Sequence, residues 1–139
     1  MKLSRWLILA AAILLITGCA SQTARDIGID KLAPRKAEQT LNTGIHQYED
    51  GNLNTAQKTL QEALHLGLTF NSDQVAAHKY LAFIYCSSNQ EKQCRDEFRR
   101  AFEIDPNFKL APTEVGHPVW GPVYHGVRVE LIARGKIKP

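Results

Sequence analysis

Apolar residues fall into contrasting patterns along this chain. Residues 6–16 are uniformly apolar and follow Lys2 and Arg5, whereas residues 20–36 show little apolar periodicity and contain Gly28 and Pro34. From 37 to 106, small and apolar residues recur at intervals among charged ones. Beyond Pro106, the breakers Pro112, Gly116, Pro118, Gly121 and Pro122 rule out one continuous helix. Phe108, Leu110, Val115 and Trp120 make the same stretch too apolar for a free linker, so an ordered loop is expected. A last helix is predicted from Pro122, a residue suited to the first helical position. Val123, Tyr124, Val127 and Leu131 give it one apolar stripe, and Gly135 ends it.

The first pattern carries an address. A basic start, an apolar run and the small residues Thr17 and Gly18 are the marks of a secretory signal peptide. The run of residues 6–16 falls short of the ~20 residues that cross a bilayer as a helix. The segment Leu15-Ile16-Thr17-Gly18-Cys19 resembles the bacterial lipobox. That resemblance implies removal of residues 1–18 and lipidation of Cys19, with palmitate among the acyl chains. Each buried CH₂ of such a chain contributes ~0.8 kcal/mol, so several chains make a lasting anchor. Ala20 and Ser21 follow the cysteine, where the family places Asp for inner-membrane retention. The expected address is therefore the outer membrane, facing the periplasm. Residues 19–36 then form a lipidated flexible tether, whose coil would span roughly 20–25 Å.

Residues 37–106 resemble two tetratricopeptide repeats, helix-turn-helix units of ~34 residues with small and apolar residues at set places. The first unit carries Gly44, Tyr48, Gly51, Leu53, Ala56, Leu60, Ala63 and Leu64. The second carries Leu81, Ala82, Tyr85, Cys86, Cys94, Phe98, Ala101 and Pro106. Thr40, Thr43 and His78 depart from the family, which prefers large apolar residues there. The implied fold class is all-α, a short solenoid of two repeats completed by residues 107–139 as an ordered loop, a capping helix and a basic tail. Around three repeats are normally needed to bury a continuous core. The loop and final helix are therefore expected to cover the open face of the second unit. The same segment has a sharper reading, a partner patch anchored by Trp120 and Tyr124, since these residue types are favoured at interfaces.

Charge adds an exclusion. With Lys2 and Arg5 in the leader, the rest of the 17 basic residues nearly balance the 14 acidic ones, and no basic stripe interleaved with aromatics points to nucleic acid. The basic run Arg128, Arg134, Lys136 and Lys138 reads as a solvated helix end, with anionic lipid or peptidoglycan contact as the alternative.

Of three cysteines, Cys19 is assigned to the anchor, leaving Cys86 and Cys94. An even pair in an exported protein argues for a disulfide. The repeat hairpin that pairs Gly44 with Leu60 and Tyr48 with Ala56 likewise pairs Ala82 with Phe98 and Cys86 with Cys94. Such a crosslink would tie the two helices beside their turn. Zinc lacks its ligand spacing, and the interval between the cysteines is not that of a redox loop.

No nucleophile with a base, paired carboxylates, phosphate loop or metal cluster emerges, and no cofactor is implied. His46, His65, His78, His117 and His125 are scattered, and Glu114 with His117 is a weak pair three residues apart. The chain is expected not to be an enzyme. By resemblance, a peptide or protein segment would lie in the groove of the first helices, at Leu41, Ile45, Tyr48, Lys79, Tyr80 and Phe83. The expected role is a lipid-anchored periplasmic adaptor for an envelope machine such as type VI secretion or the type IV pilus. The alternative is an envelope-maintenance lipoprotein that recruits a peptidoglycan enzyme or touches the wall.

Overall fold

The computed structural model describes residues 35–139. The expected leader, Cys19 and nearly all of the tether lie outside the described residues. Among the described residues all regular structure is helical: α1 (Lys36–Glu49), α2 (Leu53–Leu66), α3 (Asn71–Ser87), α4 (Glu91–Ile104), α5 (Pro112–Val115) and α6 (Gly121–Ala133).

Helices α1 and α2 form one antiparallel hairpin, α3 and α4 a second, and α3 packs against both helices of the first. Local sequence explains each reversal. Gly51 takes φ 79° in the first turn, and Asn89 takes φ 56° in the second. Glycine adopts that left-handed region freely, and asparagine tolerates it better than most residues. Helix α2 ends at Gly67, φ 88°. A Cβ on Gly44 would stand 2.9 Å from Leu60, so the crossing of α1 and α2 is set by the missing side chain.

Helix α2 shows why a half-polar sequence folds here. Its Ala56, Leu60 and Ala63 follow helical spacing and are fully buried, while the opposite face is polar. Helix α3 differs, because every residue from Leu81 to Cys86 is buried. A helix apolar all round must be covered on every side. The covers are α1, α2, α4 and the C-terminal segment.

Helix α6 packs on α4. Tyr124, Val127 and Leu131 are its buried stripe, and burying each aliphatic one contributes about 1.5–3 kcal/mol. Tyr124 sits among Phe98, Phe102 and Phe108, with ring centroids 5.5–5.8 Å away, and its hydroxyl donates to the Phe108 carbonyl at 3.2 Å. Burial pushes the Tyr124 phenol above its usual range. The helix starts at Gly121, one residue before the position expected from Pro122, with Trp120 as its N-cap.

Candidate functional site

The face shared by α1 and α3 gathers the residues expected to form a groove, and the structure divides them. Leu41 and Phe83 are only 3% and 2% exposed, so neither is available to a ligand. This corrects the expectation for both. Phe83 is covered by a residue far along the chain: Trp120 stacks on it, with centroids 4.3 Å apart and planes at 23°. Ile45, Tyr48, Lys79 and Tyr80 remain half-buried at the edge. Tyr48 meets Tyr80 edge-on at 5.1 Å, and Lys79 Nζ lies 4.6 Å above the Tyr80 ring.

Residues 111–120 form a strap over this face. Glu114 is its clasp: one carboxylate oxygen takes Lys79 Nζ at 2.7 Å, and the other accepts the Ala111 N–H at 2.9 Å. The second bond closes the single turn of α5. Trp120 Nε1 donates to the Glu114 carbonyl at 3.0 Å. The His117 ring lies flat on the Trp120 indole with centroids 3.3 Å apart, so His117, Trp120 and Phe83 form one stack. A Cβ on Gly121 would meet the Val115 carbonyl oxygen at 2.7 Å, which explains the glycine after Trp120. Burial raises the Tyr48 phenol, and the charges of Tyr80 and Glu114 add to the effect.

Glu114 and His117 therefore act in the strap's own geometry. Tyr124 is 3% exposed and inside the core, which corrects its reading as a partner anchor. Beside the strap an open cleft of about 580 Å³ remains, lined by Val75, Ala76 and Lys79 of α3, by Asp105 and Lys109, and by Glu114.

Two further constellations lie elsewhere. Cys86 and Cys94 form a disulfide between α3 and α4, with Sγ atoms 2.09 Å and Cα atoms 5.2 Å apart. His78 Nδ1 is 2.6 Å from a carboxylate oxygen of Glu97, both residues being buried, and Arg100 reaches the other oxygen at 3.0 Å. Nearby, Gln61 Nε2 donates to the Tyr85 hydroxyl at 2.9 Å. Burial, then the Glu97 charge, raises the Tyr85 phenol. Sequence reasoning missed Glu97. The available signal was a histidine where a large apolar residue belongs, which demanded a buried polar partner.

Among the described residues no group of three or more His, Cys, Asp and Glu side chains could hold a metal ion. Nor is any helix among them long and apolar enough to cross a membrane. Compared with known proteins, the sequence matches no family model, no curated protein and no solved structure.

Proposed function

We propose that this chain is a lipid-anchored adaptor of the tetratricopeptide type, tethered through Cys19 to the outer membrane and holding a protein segment in the periplasm. The observation that carries the reading is the α1/α3 face. Two antiparallel hairpins set their first helices side by side, and half-buried Ile45, Tyr48, Lys79 and Tyr80 line an accessible edge. That edge borders a cleft of about 580 Å³ with mixed polar and apolar walls, a size typical of ligand sites. Gly44 against Leu60 supports the same reading, since close helix crossing is what the repeat uses a small residue for. The partner is a peptide or protein segment that belongs to an envelope-spanning machine, a secretion system or a pilus. Phe83 contributes rigidity beneath the face and no contact with the partner.

Photocrosslinking in cells tests this reading. A crosslinking residue placed at Ala76 or Tyr80 should give one discrete adduct, and the same residue at Lys92, on the exposed side of α4, should give none. Equal yields from both sides would reject the α1/α3 face as the docking surface. The anchor has a separate test. Cys19→Ser should abolish incorporation of labelled palmitate and release the protein from membranes, and continued labelling would reject the lipoprotein reading.

A further inference from the structure

Arg134, Lys136 and Lys138 are exposed at the end of α6, but the backbone that carries them does not run straight on. Gly135 takes φ 65°, its N–H donates to the Ile132 carbonyl, and the Lys136 N–H donates to the Leu131 carbonyl at 2.9 Å. This pair of bonds is the Schellman reversal, which glycine permits because it pays no Cβ penalty in the left-handed region. The chain therefore folds back. Ile137 is buried at 8% exposure, and Lys136 comes to the rim of a cleft between the ends of α4 and α6.

The cleft encloses about 350 Å³, at the lower end of the roughly 300–1,000 Å³ usual for ligand sites. Exposed Pro106 and the edges of Leu131 and Ile137 give it an apolar wall, with Phe102 closed off beneath them. Arg99, Arg134 and Lys136 line it with positive charge, and Glu103 is the acidic residue of the lining. The cations next to it outnumber the local acids. Arg95 and Arg99 both reach one oxygen of Glu130, at 2.8 and 3.3 Å, and Arg134 reaches the other at 3.1 Å. Arg99 shares Asp96 with Lys92. One carboxylate is thus shared by three guanidiniums, of which Arg99 alone has a second acid in Asp96, so positive charge is in excess at this end of the helices. Lys136 makes no ion pair among the described residues.

We infer that this cleft binds a single-chain anionic amphiphile, an apolar tail ending in a phosphate head group. The tail lies on Pro106 and on the edges of Leu131 and Ile137 that reach the cleft, and the phosphate meets Arg134 and Lys136 at the rim, with Arg99 behind them. An apolar wall alone would accept any oil, and a cationic rim alone any anion. Their juxtaposition selects a molecule that has both. The site is on the α4/α6 side of the molecule and does not depend on the adaptor reading.

The test is a titration of the full chain, labelled at its isoleucine and leucine methyls, with monomeric dodecyl phosphate. Saturable shifts of the Leu131 and Ile137 methyls are expected. Dodecanol and inorganic phosphate, given separately, should each bind at least about tenfold more weakly, because each forfeits one of the two kinds of contact. Arg134→Ala and Lys136→Ala concern exposed side chains and should leave the fold intact while each weakens binding about tenfold, the usual loss for a charge-assisted hydrogen bond. Three outcomes would overturn the inference: dodecanol as tight as dodecyl phosphate, phosphate alone as tight, or binding indifferent to both substitutions. Association with anionic bilayer vesicles without these methyl shifts would equally overturn it, since it would reflect charge attraction at the surface.

Discussion

His78 shows how one side chain can look like an error in the sequence and be satisfied in the fold. It occupies a core position of α3, and Glu97 meets it from α4 at 2.6 Å. A buried polar group that loses its partner costs more than the bond itself was worth. His78→Leu should therefore destabilise the protein by about 1–3 kcal/mol, with Glu97 left to Arg100 alone. The double variant His78→Leu, Glu97→Leu should recover most of that loss, because a buried pair replaced by apolar residues of similar size is often neutral or better. Denaturant unfolding of the three variants checks this. A double variant less stable than His78→Leu would mean the pair contributes net stability. The partner itself was not legible. Residues 91–100 are so rich in charge that Glu97 reads as one more solvated acid, and only the three-dimensional crossing of α3 and α4 turns it inward.

At the scale of elements, the hairpins were the most legible part of the molecule. Gly44, Gly51 and the cysteine pair each have a local reason to be where they are. The Cys86–Cys94 bridge closes a loop of sequence separation 8, so chain entropy gives it roughly 2–3 kcal/mol. Cys86→Ser with Cys94→Ser should lower stability by about that amount while leaving the helical circular dichroism spectrum unchanged, and an unaltered unfolding midpoint would count against it. The strap was legible only as something other than a helix. Its prolines and glycines ruled out regular structure, but nothing local said that Trp120 would land on Phe83, which placed Phe83 wrongly in a groove. Trp120 keeps part of its surface exposed. Trp120→Ala should thus cost about 2–3 kcal/mol, below the 3–5 of a fully buried aromatic. A melting temperature that does not move would show that the indole supports nothing beneath it. The turn at Gly135 was visible as a helix stop, yet nothing local marked Ile137, beyond the reversal, as a member of the same buried core as Leu131 and Phe102.

For the molecule as a whole, Glu130 links α6 to α4 through two arginines, Arg95 and Arg99, and acid should loosen that link. Hydrogen bonding from Arg99, and then from Arg95, holds its carboxyl below the ordinary value of 4.5. A carboxyl depressed in the folded state stabilises the protein above its unfolded pKa, and the contribution is lost as pH falls through the folded one. Wild type should therefore melt higher than Glu130→Gln near neutrality, and the two curves should converge as pH drops below the carboxylate range. Parallel curves down to strong acid would exclude Glu130 as a source of that dependence. The strap and α6 also set an order of events. Phe83, Phe98 and Phe102 lie in the second hairpin, but the rings that cover them, Trp120 and Tyr124, come from a stretch synthesised after it. If the chain is exported N-terminus first, as we propose, it carries unfinished hairpins until Trp120 and Tyr124 arrive. The completed core would then report that the strap and α6 have been delivered, and a product truncated before the strap would display its aromatic face to whatever protease or chaperone waits on the far side.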